Sequence, residues 1–185
     1  MANVLVILAP QFEEIEAVTP IDYLRRADIS VTSAGLNGVT VTSARGLLVQ
    51  ADMVFSDAKD KLYDAIVVPG GKGAWTIADT PEACSWIIRH YQAGKIIAAI
   101  CAAPALVLGK SCGLLSGKRY TCYPGLEKEA GSGTYMNNTV VEDGTIITAR
   151  GAGAAGLFSL ALIRALAGSD KAREVAKATL TEGVY

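Results

Sequence analysis

Histidine is nearly absent from this chain of 185 residues, in which His90 is the only one. A single imidazole excludes a metal site built from several histidines. The four cysteines do not replace them, because their spacings match no zinc-binding pattern. These cysteines are Cys84, Cys101, Cys112 and Cys122. We therefore expect no metal centre.

Long hydrophobic runs and an excess of one charge are also missing. Glycine, proline or a charged residue interrupts the apolar stretches within about ten residues, which is too short for a membrane-spanning helix. The apolar segment near the start is also too short for a secretion signal with its flanks. Since 17 basic residues balance 18 acidic ones, the net charge of -1 favours neither nucleic acid nor an anionic membrane. These absences predict a cytoplasmic protein with reduced thiols and no membrane or specific nucleic-acid partner.

Apolar sequence is what the chain does contain, with 51% hydrophobic and 19% charged residues, and its length is typical of one globular domain. The apolar runs Val4–Leu8, Ala65–Val68 and Ile96–Ile100 predict strands buried on both faces. Pro20 lies inside the first helical pattern, so that segment is either a kinked helix or two helical pieces. The alternation predicts an α/β fold with a mostly parallel sheet covered by helices on both faces. Helices are predicted over about 13–27, 81–92, 102–108, 157–167 and 170–180, short strands over 29–34 and 119–123, and hairpins over 38–52 and 139–149.

Cys101 stands where the buried strand Ile96–Ile100 turns into a predicted helix. Ligands of such sheets bind at the carboxyl ends of the strands, so this turn has the pattern of a nucleophile elbow. A helix N-terminus favours the thiolate, and the N–H of Ala102 is placed to donate to an oxyanion. The alternative is that Cys101 is a packing residue, as buried cysteines often are.

Two further segments end at the same edge of the predicted sheet. Pro69-Gly70-Gly71 follows the strand Ala65–Val68, and two glycines there let the backbone approach a substrate and offer N–H groups. Three glutamates follow the first strand. Glu16 is predicted to point toward the rim of the core, whereas Glu13 and Glu14 are predicted to meet solvent, where they complement the helix dipole.

The glycines of Gly151-Ala152-Gly153-Ala154-Ala155-Gly156 match the spacing of a dinucleotide-binding loop, and Asp170 follows at a suitable distance. That loop normally opens a strand–helix–strand unit, whereas here a second helix follows in place of a strand. Close packing between helix and sheet is the preferred explanation of these glycines. We therefore expect no nicotinamide, flavin or other cofactor.

Four segments of the chain, taken in order, resemble the ThiJ/PfpI superfamily. They are Glu13-Glu14-Ile15-Glu16-Ala17-Val18, Val67-Val68-Pro69-Gly70-Gly71, Ala98-Ala99-Ile100-Cys101-Ala102-Ala103-Pro104 and Thr148-Ala149-Arg150-Gly151-Ala152-Gly153. The likeness covers essentially the whole chain and is greatest to the branch of parkinsonism-associated deglycases and YajL-like proteins. It implies a flavodoxin-like three-layer sandwich and a homodimer. It also implies that Cys101 is an oxidation-prone nucleophile, that Glu16 shares its proton, and that the amides of Gly71 and Ala102 are oxyanion donors.

The chain departs from the family pattern at a histidine that some members carry near the cysteine. Tyr123 occupies that position here, at the possible rim of the site. His90 is predicted to lie on the surface, near the C-terminus of the helix before the elbow strand. Because no histidine is left to act as a base beside the thiol, protease or amidotransferase chemistry is not expected. Arg45, in the first hairpin turn, is either a solvated charge or a rim residue that reaches the site of the partner subunit.

Two hypotheses follow for the function of the protein, one an enzyme and the other a redox sensor. In the first, the protein is a cofactor-free glyoxalase or deglycase that acts on α-oxoaldehydes such as methylglyoxal, or on glycated proteins and nucleotides, in carbonyl or oxidative stress. Cys101 then forms a hemithioacetal and Glu16 transfers a proton. In the second, the protein is a redox-sensing chaperone or regulator in which Cys101 is oxidised to a sulfinate before the other cysteines.

Overall fold

The computed structural model describes residues 2–58 and 60–184 and contains a central sheet of seven strands. Its strands, with those of two smaller sheets, are β1 (Asn3–Leu8), β2 (Ser30–Gly35), β3 (Thr40–Thr42), β4 (Leu48–Gln50), β5 (Met53–Val54), β6 (Ala65–Val68), β7 (Ile96–Ile100), β8 (Arg119–Tyr120), β9 (Thr134–Tyr135), β10 (Val140–Asp143) and β11 (Ile146–Ala149). The central order is β10-β11-β7-β6-β1-β2-β5, and every neighbouring pair is parallel except β10 and β11. The predicted α/β fold with a mostly parallel sheet is confirmed.

Helices cover both faces of the central sheet. They are α1 (Glu14–Arg26), α2 (Phe55–Ala58), α3 (Gly73–Ala78), α4 (Pro81–Gln92), the π-helix Pro104–Ser111, α5 (Ala155–Ala167) and α6 (Ser169–Ala178). Because alternate residues of a strand face opposite sides, Val4 and Val6 of β1 enter one hydrophobic cluster, whereas Leu5 and Ile7 enter the other. The first cluster includes residues of α1, α5 and α6, and the second includes residues of α3, α4 and the π-helix. The result is the flavodoxin-like three-layer sandwich that the sequence predicts.

The helices also answer two questions that the sequence raises. α1 is continuous through Pro20, so the alternative of two helical pieces is wrong. Within residues 2–58 and 60–184, no helix has the length and the apolar composition needed to cross a membrane.

Two elements near the predicted cysteine turn differ from expectation. The strand predicted over 119–123 ends at Tyr120, because it pairs with the short β9 and not with the central sheet. Cys122 is buried but lies outside any strand. The helix predicted over 102–108 begins only at Pro104 and has π rather than α geometry. The turn after β7 is therefore longer than the sequence suggests.

His90 is fully buried, so its predicted surface position is wrong. The centre of its ring lies 3.9 Å from that of Trp86. Nδ1 is 2.8 Å from the carbonyl oxygen of Trp86, and Nε2 accepts the N–H of Tyr63 at 3.1 Å. This pair of contacts requires the neutral tautomer with its proton on Nδ1. His90 thus joins α4 to the segment that leads into β6.

Protonation of His90 should weaken the fold. Burial, with smaller contributions from Arg89 and Lys95, lowers the pKa of His90 from its ordinary value of 6.5. The neutral ring therefore stabilises the protein above pH 6.5, and this contribution is lost as the pH falls through the lowered pKa. We expect His90→Phe to reduce the free energy of unfolding by about 1–3 kcal/mol near pH 7.5, because the buried N–H of Tyr63 loses its acceptor.

Urea unfolding at a series of pH values measures this effect. The difference between wild type and His90→Phe should shrink as the pH falls from about 6.5 to about 5. Comparing the two proteins at each pH cancels the contributions of other titrating groups, Glu16 among them. A difference that stayed constant over this range would contradict the neutral, buried state of His90.

Candidate functional site

The carboxyl ends of β1, β6 and β7 meet at one edge of the central sheet, and Cys101 directly follows β7 there. Its φ of 65° is a left-handed conformation that residues other than glycine rarely adopt. Two hydrogen bonds hold it. Its N–H donates to the carbonyl oxygen of Ala149 at 2.9 Å, and its own carbonyl oxygen accepts the N–H of Tyr123 at 2.7 Å. Such strain costs about 1–3 kcal/mol and tends to occur at functional turns.

Two backbone N–H groups hydrogen-bond to the sulfur of Cys101. They belong to Gly71, after β6, and to Ala102, the next residue in the chain. Gly71 has a φ of 72°, and a Cβ there would lie 2.5 Å from the carbonyl oxygen of Gln11, so no larger residue fits. Because an oxyanion formed beside the sulfur would be in reach of the same amides, both predicted donors lie in position for that role.

Glu16, from the first turn of α1, is fully buried beside Cys101. Its Oε2 accepts the N–H of Gly70 at 2.9 Å, whereas Oε1 has no hydrogen-bond partner among the described residues. The Cys101 thiol lies within hydrogen-bonding reach of this carboxyl. Burial, with some repulsion from Glu13, raises the pKa of Glu16 to about 7, although both hydrogen bonds lower it. The carboxyl can therefore accept and release a proton near neutral pH.

The pKa of the Cys101 thiol is raised to about 12, first by burial and then by the charge and hydrogen bond of Glu16. The amides of Gly71 and Ala102 lower this pKa, but by less. The amide of Ala102, next to the helix start, does favour the thiolate, but burial and Glu16 outweigh it, so the expected thiolate is not favoured overall. Glu16 lies beside the thiol and can accept its proton when the sulfur reacts. The two side chains share this proton, so their titration belongs to the pair.

Gly70 makes a different contact from the substrate contact that the sequence predicts. Its N–H is engaged by Glu16, so Gly70 holds the carboxyl in place. A Cβ on Gly70 would lie 2.6 Å from the Cβ of Cys101 and 2.6 Å from Oε2 of Glu16. We expect Gly70→Ala to separate these two side chains, to destabilise the fold by about 1–3 kcal/mol and to lower any activity that needs both of them by about tenfold or more.

Thermal unfolding and the rate of the proposed reaction, measured together, test this expectation. Gly153→Ala is the matched control, because a Cβ there has nothing within 4 Å. The control should keep both its stability and its rate. Full activity in a Gly70→Ala protein would contradict this expectation, because it would show that the reaction does not depend on the close approach of Cys101 and Glu16.

A cavity of about 410 Å³ opens onto Cys101. Arg45 and Tyr123, the two predicted rim residues, both line it. Arg45 Nη2 lies 4.0 Å from Glu13 Oε2, and its side chain is 75% exposed, so Arg45 is a rim residue of its own chain. Larger grooves of about 620 and 590 Å³ lie elsewhere, but neither contains the cysteine.

The predicted exposure of Glu13 and Glu14 is wrong. The Glu13 side chain is only 17% exposed and faces Arg45 across the cavity rim. Glu14 is half-buried, and its Oε2 is enclosed without a hydrogen-bond partner among the described residues. Helix-dipole complementation alone does not account for these positions.

Several residues of the cavity are absent from the sequence-based prediction. Lys72 and Trp75 line the cavity. Their position could have been predicted, because they closely follow the Gly70-Gly71 pair at the same edge of the sheet. Gln11 has a φ of 64° in the loop after β1, and nothing in its sequence context indicates this. Leu126 comes from a loop that approaches from outside the central sheet, so its arrival depends on the tertiary fold.

Comparisons with known proteins agree with this site and fold. Residues 2–165 match the DJ-1/PfpI family. Protein dj-1beta of Drosophila melanogaster is 41% identical over 182 residues, which cover 96% of this chain and 96% of the relative. Glutathione-independent glyoxalase DJR-1.2 of Caenorhabditis elegans is 30% identical over 178 residues, covering 95% of this chain and 94% of the relative. The solved structure of Toxoplasma gondii DJ-1, oxidized, has a TM-score of 0.93 at 36% identity and covers 97% of this chain and 98% of its own. The chain belongs to the DJ-1/PfpI family.

Proposed function

We propose that this protein is a cofactor-free glyoxalase that converts methylglyoxal and related α-oxoaldehydes to hydroxy acids. The observation that carries the proposal is the contact between the Cys101 thiol and the buried Glu16 carboxyl, beside two amide donors and an open cavity. A relative that bears the name glutathione-independent glyoxalase supports it.

The reaction begins when the sulfur of Cys101 attacks the aldehyde carbon. The thiol proton passes to the Glu16 carboxylate, which avoids a free thiolate at a buried site. The aldehyde oxygen gains negative charge and accepts hydrogen bonds from the N–H groups of Gly71 and Ala102. Glu16 returns its proton to this oxygen, which gives a hemithioacetal and restores the carboxylate.

Glu16 then moves a proton between adjacent carbons of the adduct. Its carboxylate removes the proton from the carbon that bears sulfur, and the former ketone oxygen takes the negative charge of the resulting enediolate. The hydroxyl proton of the adduct passes to that oxygen, and the Glu16 acid returns a proton to the neighbouring carbon. A pKa of about 7 suits both steps, since the group loses and regains its proton readily. The product is a thioester on Cys101, which water cleaves to lactate and free thiol. Methylglyoxal and water together become lactic acid, so no external oxidant or reductant is consumed.

Early glycation adducts are a second substrate class within the same proposal. The cavity of about 410 Å³ has the polar rim residues Arg45 and Lys72 beside the apolar Trp75 and Leu126. Such a rim accommodates more than a small aldehyde, as a glycated protein side chain or nucleotide would require. Both substrate classes need the same thiol and carboxyl.

A turnover assay with methylglyoxal and the purified protein, in the absence of glutathione, tests the proposal. Lactate should accumulate in amounts many times larger than the amount of protein. A heat-unfolded sample provides the background rate. If no more than one equivalent of methylglyoxal were consumed, the thiol would react without turnover and the glyoxalase proposal would be overturned.

Redox sensing is the second candidate, and it rests on the same geometry. A sulfinate on Cys101 would accept hydrogen bonds from the amides of Gly71 and Ala102, and from Glu16 in its protonated form. The Toxoplasma gondii relative whose structure is described as oxidized favours this candidate. Both roles use one thiol, so the methylglyoxal assay is also the experiment that distinguishes them.

We further propose that the protein acts as a homodimer through α1 and the β3–β4 hairpin. Four large apolar side chains on these elements are between 46% and 68% exposed: Ile15, Val18, Leu47 and Leu48. The hairpin packs against the start of α1, since the N–H of Ala44 donates to the carbonyl oxygen of Phe12 at 2.8 Å. The four side chains therefore lie on adjoining elements that a second copy can cover. Arg45 lies at the tip of this hairpin, where it can approach the site of the partner subunit.

Light scattering should give the mass of a dimer at micromolar concentration. Val18→Asp is expected to shift the mass toward that of the monomer, because a carboxylate would be buried in the interface. Leu180→Asp is the matched control, since Leu180 is 89% exposed on a different part of the chain, and it should leave the dimer intact. A monomeric wild type would refute both the dimer and the role of Arg45 in it.

A further inference from the structure

Cys84 and Cys112 are in contact with each other, although 27 residues separate them in sequence. Cys84 lies on α4, and Cys112 directly follows the π-helix. The thiol of Cys112 donates to the carbonyl oxygen of Cys84 at 3.9 Å, and the two thiols are close enough for each to shift the pKa of the other. Both are free cysteines with 8% of their surface exposed. No sequence pattern indicates that these two cysteines lie together.

The two thiols differ in acidity. The hydrogen bond from Cys112 lowers the pKa of Cys84, whereas the same interaction and burial raise the pKa of Cys112. Cys84 Sγ is also held 3.6 Å from the carbonyl oxygens of Ile77 and Ala78, which fixes its position beside Cys112. The pair thus contains one thiol that ionises more easily and one that remains protonated next to it, as a reacting and a resolving cysteine do.

We propose that peroxide converts Cys84 and Cys112 into a reversible intramolecular disulfide, a second redox centre apart from Cys101. Neither cysteine lines the cavity that opens onto Cys101. Cys101 has Glu16 and two backbone amides around its sulfur, so its oxidation leads to a sulfinate. Cys84 instead has the thiol of Cys112 beside its sulfur, so its oxidation leads to a disulfide.

The chemistry balances with a peroxide as the only oxidant. The sulfur of Cys84 attacks one peroxide oxygen, an S–O bond forms as the O–O bond breaks, and the products are a sulfenic acid and water. The sulfur of Cys112 then attacks Cys84, the S–S bond forms as the S–O bond breaks, and hydroxide leaves with the proton of Cys112 as a second water. Two thiols are oxidised to one disulfide while one peroxide is reduced to two waters.

Trypsin places each of the four cysteines in a separate peptide, which makes the disulfide easy to identify. The peptides span residues 73–89 for Cys84, 96–110 for Cys101, 111–118 for Cys112 and 120–128 for Cys122. The folded wild-type protein is treated with graded hydrogen peroxide, quenched in acid, alkylated and digested without reductant. Mass spectrometry should show peptide 73–89 linked to 111–118, with the loss of two hydrogens. Dithiothreitol should release the two peptides.

Variants and competing products decide the outcome. Cys84→Ser and Cys112→Ser should each remove the linked peptide, whereas Cys101→Ala and Cys122→Ala should leave it. Because the main readout uses the wild type, the test does not depend on the folding of any variant, and it is independent of the glyoxalase assay. The proposal is overturned if both thiols stay free or gain oxygens separately, or if Cys84 and Cys112 link to Cys122 as often as to each other.

Discussion

Replacing Cys101 by alanine is expected to abolish lactate formation from methylglyoxal, with a loss of turnover on the order of 1,000-fold or more. Without the sulfur no hemithioacetal forms, and Glu16 has no adduct on which to move a proton. Alanine keeps the size of the residue close to that of cysteine, so the fold and its strained turn should survive. Lactate measured over time with equal amounts of wild type and variant gives the result, and circular dichroism verifies that the variant is folded.

The other three cysteines supply the matched controls. Cys84→Ala, Cys112→Ala and Cys122→Ala should each retain most of the turnover, because their sulfurs do not line the cavity at Cys101. Cys122 is the most informative of them, since it is fully buried and lies close to Cys101 in the hydrophobic cluster. A comparable loss in a folded Cys122→Ala protein would point to a mechanism that uses two cysteines and would contradict the one proposed.

The strands that position Cys101 could be predicted because their signal is local. Val4–Leu8, Ala65–Val68 and Ile96–Ile100 contain no polar residue, and the first two are followed closely by proline or glycine, which favour a turn. In a parallel sheet, the carboxyl ends of such strands meet at one edge. This rule alone brings Cys101 and Gly71 together, and both hold these places in the structure.

The burial of individual polar side chains could not be predicted in this way, because it depends on partners that are distant in sequence. His90 looks like a polar residue at a helix C-terminus, yet its acceptor nitrogen is needed by the N–H of Tyr63. The helical pattern does turn Glu16 toward the core, as predicted, but it gives no sign that Glu13 is shielded at the cavity rim beside Arg45. A helical pattern predicts the direction of a side chain, but it does not identify the hydrogen-bond partner that the tertiary fold brings to it.

The acidity of Cys101 could not be predicted from the strand-to-helix turn alone. A helix that began at Ala102 would favour the thiolate, whereas the observed π-helix begins two residues later, at Pro104. Sequence patterns rarely fix a helix start so closely. The larger effects come from groups distant in sequence, since burial and the charge of Glu16 raise the pKa of Cys101 to about 12.

Replacing Glu16 by glutamine is therefore expected to lower turnover on the order of 100-fold or more, because an amide cannot accept and return the proton. The glutamine oxygen can still accept the N–H of Gly70, so the shape of the site is kept. In the wild type, kcat/KM should rise with pH through the pKa of Glu16, about 7, as the carboxylate becomes available as the base. This rise should be absent in the variant.

Alkylation of Cys101 by iodoacetamide separates proton transfer from a merely structural role of Glu16. Since the charge of Glu16 raises the pKa of Cys101, its removal should let the thiol react at least as fast in Glu16→Gln as in the wild type, even though turnover is lost. Glu14→Gln is the matched control on the same helical turn and should keep both turnover and the rise near pH 7. Nearly unchanged turnover in Glu16→Gln would reduce Glu16 to a helix-terminal charge. Lost turnover with slower alkylation would show that the thiol itself depends on Glu16, as a base or for its position, whereas lost turnover with undiminished alkylation leaves proton transfer between the carbons as the step that requires Glu16.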